Sequence, residues 1–170
     1  MAQASGPTAA QRRLPDPASL DGQFAPSWAA PGPHAQARAL GTHLALTGRV
    51  STILLVDDDP GVRFALTEVL RDRGYRVVCA SSGAQALTSL EGIDVVVTDL
   101  SMPGMDGLEL LAQIVARAPA LPVILLTAHG SESMGRIASS RGACGCLSKP
   151  FDIDEIAGAI EHARTLPRGA

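Results

Sequence analysis

The stretch IDVVVTDLSMPGMDG, residues 93–107, joins a short apolar run to a loop that contains one proline and two glycines. The run is shorter than a typical helix and does not alternate with polar residues, a pattern that is typical of a strand buried on both faces. Asp99 follows the run directly. We therefore predict a buried parallel strand over residues 94–98, with a carboxylate at the point where it ends.

Comparable runs recur along the chain from residue 51 onward and alternate with helical segments. We predict the five strands at residues 52–56, 76–79, 94–98, 123–127 and 145–147. The first helix should begin at Asp59-Pro60, a capping residue followed by a proline at the first helical position, and end at Gly74. Its predicted buried face is Val62, Ala65, Leu66 and Val69. Five strand–helix repeats predict an open, doubly wound α/β sheet whose ligands lie at the carboxyl ends of the strands.

The last and the fourth helix differ in the strength of their sequence signals. The last one should begin near Asp152 and bury Ile153, Ile156, Ala157 and Ile160. The fourth helix, between residues 131 and 141, has little helix propensity because it contains a glycine and several serines. We expect it to be the most labile element of the fold.

The composition sets the domain boundaries and narrows the class of protein. The chain has 170 residues, and residues 1–50 are rich in Ala, Pro and Gly, so we predict a disordered extension there, one domain over residues 51–166 and a short tail over 167–170. Residues 1–50 contribute +2 to the formal net charge of −3 and the remainder −5, which argues against a nucleic-acid surface. No run has the length of a membrane span, and three cysteines predict small buried thiols, so we expect a cytoplasmic protein.

Acidic residues follow two of the predicted strands. Asp57 and Asp58 end the first strand as Asp99 ends the third, and these carboxylates meet if the two strands are neighbours. Clustered carboxylates repel unless a cation lies among them, and an open oxygen-lined site suits Mg²⁺. We predict Asp58 and Asp99 as direct ligands, the Ser101 carbonyl as a third, and Asp57 as a ligand through water. The Asp57-Asp58-Asp59 run could instead simply cap a helix, which is the preferred interpretation for Asp59.

Two residues at other strand ends suit an anionic group. Lys149 follows the fifth strand, and Pro150 after it permits a cis peptide bond that would fix the approach of the lysine side chain. Thr127 ends the fourth strand and could donate its hydroxyl to a phosphoryl oxygen or cap the next turn. Ala128 leaves room beside it, whereas His129 is expected to be an exposed loop residue.

In this order the motifs resemble the receiver domain of bacterial response regulators, over residues 51 to about 164. The resemblance rests on VDD at residues 56–58, TDLSMPGMDG at 98–107, TA at 127–128 and KPF at 149–151. It implies a flavodoxin-like sheet of strand order 2-1-3-4-5. It also implies that Asp99 takes a phosphoryl group from a phosphohistidine on a sensor histidine kinase or a histidine phosphotransfer protein. Mg²⁺ would bind at Asp57 and Asp58, and Thr127 and Lys149 would hold the phosphoryl oxygens.

The resemblance implies a signalling module rather than an enzyme acting on other substrates. The expected role is a stand-alone receiver or phosphorelay intermediate that docks a downstream protein, with phosphorylation-dependent dimerisation as a further form of output. The alternative is a detached receiver of a hybrid kinase or transcriptional activator.

Cys146 departs from the family pattern, because receivers often place an aromatic switch residue there. We therefore expect switching to depend more on Thr127 and the fourth helix. This departure is either a harmless variation or, less in keeping with the surrounding residues, a redox feature of Cys144 and Cys146.

Two other classes share part of this pattern. A haloacid-dehalogenase-type phosphatase also uses a strand-end aspartate, Mg²⁺, a threonine and a lysine. Its first motif requires Thr or Val two residues after the second aspartate, and Gly61 stands where that residue would fall in the run DDDPG. A flavodoxin-like cofactor binder is disfavoured because three aspartates in its first loop would repel a phosphate.

Overall fold

The computed structural model describes residues 49–128 and 132–166. The predicted extension over residues 1–50, apart from its last two residues, lies outside this part of the chain, as do His129 and the predicted tail over 167–170.

The described residues form five strands that alternate with five helices. The strands are β1 Thr52–Val56, β2 Arg76–Ala80, β3 Val95–Asp99, β4 Val123–Thr127 and β5 Gly145–Ser148. The helices are α1 Pro60–Asp72, α2 Gly83–Leu87, α3 Gly107–Arg117, α4 Glu132–Ser140 and α5 Ile153–Thr165. All four strand pairings are parallel, and the order β2-β1-β3-β4-β5 confirms the predicted flavodoxin-like sheet.

Burial follows the position of each strand in the sheet. Every residue of β3 and β4 is buried, as are four of the five in β1, whereas the edge strands β2 and β5 keep exposed positions. This agrees with the expectation that apolar runs form the centre of a parallel sheet covered on both faces. Among the described helices, none combines the length and apolar character that a membrane span requires.

Some details differ from the predictions, and β2 and β5 each extend one residue beyond their predicted ends. The third strand lies one residue further along, so that Asp99 is its last residue and pairs with Leu126. The buried residues of α1 are Thr67 and Leu70, whereas the predicted face is half-buried at Val62 and Leu66 and exposed at Ala65 and Val69. Thr67 can be buried because its hydroxyl donates to the Arg63 carbonyl. Cys79 is exposed on the edge strand, which contradicts the prediction of a buried thiol.

Three helices that begin at the carboxyl edge of the sheet, α1, α3 and α5, are capped by aspartates. The Asp59 carboxylate accepts hydrogen bonds from the N–H groups of Val62 and Gly61, which hold its pKa below the usual value and confirm it as the cap of α1. Asp152 caps α5 in a capping box with Glu155. These two caps fix where the loops after β1 and β5 end.

Candidate functional site

Three strand ends bring charged side chains to the carboxyl edge of the sheet. Asp57 follows β1, Asp99 ends β3 and Lys149 follows β5. Since β1 and β3 are neighbours in register, with Val56 opposite Thr98, the two aspartates lie on adjacent strands. The predicted convergence of these three residues therefore occurs in the folded chain.

Lys149 bridges the two buried carboxylates. Its Nζ lies 2.6 Å from Asp99 Oδ1 and 3.2 Å from Asp57 Oδ2. The side chains of Asp57 and Asp99 are 2% and 9% exposed, whereas that of Lys149 is 28% exposed. The Lys149 side chain thus lies between the two buried carboxylates and the solvent.

The pKa of Lys149 reports which effect dominates in this pocket. Partial burial alone would lower the pKa, but the hydrogen bond to Asp99 and the charges of Asp57 and Asp99 outweigh it and raise the pKa above its usual value. Lys149 is therefore a fixed positive charge at neutral pH. The Lys149–Pro150 peptide bond is cis, as the sequence suggested.

The remaining oxygens of the two carboxylates are held by backbone donors. The Asp59 N–H donates to Asp57 Oδ1 at 2.8 Å, and the Ser101 N–H donates to Asp99 Oδ2 at 2.7 Å. Each carboxylate therefore has one oxygen on a backbone amide and the other on Lys149. Their orientation is set by the turn after β1 and the loop after β3.

Thr127 lies at the next strand end and shares the backbone ladder of Lys149. It is 3% exposed, and its carbonyl accepts the Lys149 N–H at 2.7 Å. Ala128 beside it is exposed. The fourth strand end thus presents a buried hydroxyl residue next to a small side chain at the edge that carries Asp99.

Asp58 and Ser101 lie at the rim. Both are exposed, and within residues 49–128 and 132–166 the Asp58 carboxylate makes no hydrogen bond or ion pair. In the same part of the chain, no three Asp, Glu, His or Cys side chains are already grouped as a metal site. The donor set still fits Mg²⁺, which takes one or two protein carboxylates and keeps several waters. Asp58, Asp99 and the Ser101 carbonyl supply that kind of ligand.

The loop after β3 depends on a close backbone approach. A Cβ on Gly107 would lie 2.5 Å from the Asp99 carbonyl oxygen and 2.8 Å from Leu100 Cα, so only glycine fits there. The Gly107 N–H donates to the Leu100 carbonyl at 2.9 Å and closes the loop. Gly107 thus lets α3 start directly beside the residue that carries the buried carboxylate.

Arg63 is a site residue that the sequence analysis missed. Its Nη1 donates to the Asp57 carbonyl oxygen at 2.6 Å. The available signal was a basic residue six positions after the first aspartate, at the end of the first turn of the helix that follows. At that spacing a long side chain can reach back toward the strand end.

Cys146 faces the core and lies three residues before Lys149. It is half-buried on β5, lies opposite Leu125 and packs against the apolar core. Burial raises the pKa of the Cys146 thiol, and it raises that of Cys144 to about 11. Since the thiolate is the reactive form, these surroundings disfavour the redox interpretation of the pair.

Comparison with known proteins gives consistent matches. The sequence profile of the response regulator receiver domain matches residues 53–161. Transcriptional regulatory protein GlrR of Escherichia coli K12 is 46% identical over 113 residues, which make up 65% of this chain and 26% of that protein. Sporulation initiation phosphotransferase F of Bacillus subtilis is 40% identical over 111 residues, 64% of this chain and 90% of that protein.

The comparison with solved structures agrees with the sequence matches. A receiver domain protein from Clostridium thermocellum superposes with a TM-score of 0.65 at 32% identity, over 68% of this chain and 94% of that one. The matched part of the chain spans about a quarter of the GlrR sequence. What GlrR does as a whole protein therefore does not transfer directly to this chain.

Proposed function

The chain belongs to the response regulator receiver family, and we propose that it accepts a phosphoryl group on Asp99 from a phosphohistidine of a sensor histidine kinase or histidine phosphotransfer protein. The single observation that carries this proposal is the Lys149 bridge. At neutral pH it holds a positive charge 2.6 Å from a buried carboxylate that lies at the carboxyl edge of the sheet.

In the proposed reaction a carboxylate oxygen of Asp99 attacks phosphorus. The new O–P bond forms as the N–P bond of the phosphohistidine breaks, and the imidazole nitrogen leaves with the electron pair. Phosphoryl transfer needs in-line positioning and neutralised charge more than covalent activation. The backbone amide of Ser101, which donates to Asp99 Oδ2 at 2.7 Å, holds the nucleophile in one orientation.

The other residues of the site would stabilise the phosphoryl oxygens. Lys149 would pair with a phosphoryl oxygen in place of one of its carboxylate partners, which requires only a small movement of its side chain. Thr127 would donate its hydroxyl to a phosphoryl oxygen. We propose Asp58, Asp99 and the Ser101 carbonyl as ligands of Mg²⁺, with Asp57 acting through water. When bound, the ion supplies positive charge that offsets the phosphoryl oxygens and the clustered carboxylates.

For the output we propose that the phosphorylated domain signals by binding another protein in the cytoplasm. A stand-alone receiver or phosphorelay intermediate is in keeping with the B. subtilis relative, most of whose length is matched. A receiver within a transcriptional activator is in keeping with GlrR, of which only 26% is matched. Family membership favours either form over the phosphatase, and the acidic balance of residues 51–170 disfavours direct DNA binding by the domain itself.

Intact mass spectrometry tests the phosphoacceptor. Incubation with acetyl phosphate and MgCl₂ should add the mass of one phosphoryl group to the wild-type chain and none to Asp99→Asn. Asp106→Asn is the matched control, since Asp106 caps α3 at the end of the same loop. Persistence of the mass gain in Asp99→Asn would refute the assignment, and repeated turnover of small phosphate esters would favour a phosphatase.

A further inference from the structure

Arg63 reaches back from α1 across the end of β1. It closes the first turn of the helix, is half-buried, and donates from Nη1 to the Asp57 carbonyl oxygen at 2.6 Å. A hydrogen bond from a charged donor at this length is stronger than a neutral one. The bond ties the first helix to the acidic turn.

The bond acts on the peptide unit that leads into Asp58. The Asp57 carbonyl and the Asp58 N–H belong to the same planar group, so fixing the oxygen fixes the plane from which the Asp58 backbone continues. The preceding unit is held by the Asp57 N–H, which donates to Ala80 at 3.3 Å. The following unit is held by the Asp59 N–H, which donates to Asp57 Oδ1 at 2.8 Å.

Asp58 itself depends on this backbone. Its side chain is exposed, and in the described part of the chain it makes no hydrogen bond or ion pair that would orient it. The peptide units on either side set the direction of its Cα–Cβ bond, and with it the region that the carboxylate can reach. Of the bonds that hold those units, the one from Arg63 comes from a side chain with no other role in the pocket.

We infer that Arg63 is a positioning residue for the proposed Mg²⁺ site, which it serves by holding the peptide plane from which the Asp58 side chain extends at the edge that carries Asp99. This inference rests on the proposed function, because it requires that a cation bind there.

The sign of the effect distinguishes positioning from electrostatics. Arg63 carries a positive charge close to a site for a positive ion, so charge alone would make its removal tighten Mg²⁺ binding. If Arg63 orients a ligand, its removal weakens binding instead. Loss of groups that orient metal ligands lowers affinity by about 10- to 100-fold, and partial relief of repulsion should reduce this to about 5- to 10-fold.

The experiment titrates MgCl₂ into the full chain and follows the backbone amide signals of Asp59 and Ser101 by ¹H–¹⁵N NMR. These amides donate to Asp57 and Asp99, so they report on the site without requiring phosphorylation. We expect Arg63→Met to raise the dissociation constant about 5- to 10-fold. The control is Arg71→Met, which removes the same charge from the exposed face of the same helix and should leave the constant unchanged.

An unchanged or lower dissociation constant in Arg63→Met would overturn the inference while leaving the proposed function intact. Wild-type amides that do not respond to MgCl₂ would overturn the metal site and this inference with it. If Arg63→Met does not fold, Arg63→Lys keeps the charge but lacks the planar donor geometry. We then expect a rise of about twofold to threefold, and unchanged affinity in that variant would equally refute the role of Arg63.

Discussion

Replacement of Lys149 by methionine should destabilise the domain, because two carboxylates would remain buried without their counter-charge. Breaking a buried ion pair from one side costs about 3 to 5 kcal/mol. Here two pairs are lost, at 2.6 and 3.2 Å, but the lysine side chain is 28% exposed, so water can reach the pocket. We therefore expect the low end, a loss of about 3 kcal/mol in unfolding free energy.

Urea unfolding followed by far-UV circular dichroism at neutral pH measures this loss. EDTA is included so that no divalent cation replaces the lysine charge. The midpoint should fall without a change in the m-value. Arg117→Met is the matched control: the Arg117 guanidinium donates to Gln113 on the helix surface, and its loss should cost less than about 0.5 kcal/mol.

A second variant tests the reason for the loss. In Asp57→Asn/Lys149→Met one of the two buried charges is removed together with its partner, so the double variant should regain at least about 1 kcal/mol over Lys149→Met. A Lys149→Met variant within about 0.5 kcal/mol of wild type would refute the argument that Lys149 compensates the pocket. Strictly additive effects of the two substitutions would refute the assigned coupling to Asp57.

Further predictions concern pH, backbone space and thiol reactivity. Reductive ¹³C-methylation labels Lys149, the single lysine of the chain, and NMR titration should give a pKa above the usual value. Because the pKa of Lys149 is raised in the folded state, its contribution to the unfolding free energy is fully present below about pH 10.4 and is lost as the pH rises through the folded pKa. A measured pKa at or below the usual value would contradict this. Gly107→Ala should cost about 2 to 3 kcal/mol in urea unfolding because its Cβ would meet backbone atoms, whereas Gly135→Ala, with open space in α4, should gain about 0.5 to 1 kcal/mol. At pH 7 a maleimide should modify exposed Cys79 well before Cys144, because burial raises the pKa of the Cys144 thiol to about 11. Peptide mass mapping measures the two rates, and equal rates would contradict the burial of Cys144.

The fold was largely predictable because its strands are read from local composition. Apolar runs that do not alternate mark β1, β3 and β4, and the observed bounds of β1 and β4 coincide with the predicted ones. The burial of Thr67 was not predictable from polarity, since its hydroxyl is satisfied within its own helix. The exposure of Cys79 also escaped prediction, because it follows from the edge position of β2 in the sheet.

The site was predictable as a set of residues and not as a set of contacts. The positions of the strand ends predicted that Asp57, Asp99 and Lys149 lie close together. The sequence also suggested that Lys149 would bind an anionic group such as a phosphoryl group. In the structure it already pairs with both carboxylates. That pairing depends on distances between β1, β3 and β5, which no local pattern contains. For Arg63 the spacing from Asp57 was the available signal, but its partner is a backbone carbonyl, which the sequence does not single out.

The arrangement of the strand ends bears on how phosphorylation would be read out. Asp99 pairs with Leu126, and the Lys149 N–H donates to the Thr127 carbonyl, so one continuous backbone ladder carries the three residues expected to contact the phosphoryl group. Because the hydrogen-bonded strands are packed in the sheet, their backbone resists displacement. A structural change after phosphorylation of Asp99 should therefore involve side chains and the helices and loops that follow the strands. Among residues 133–140 of α4 only Ala138 is buried. We therefore expect a rearrangement at Thr127 to be read out mainly through α4, which has little buried surface to lose, since the small thiol of Cys146 cannot move as an aromatic ring would.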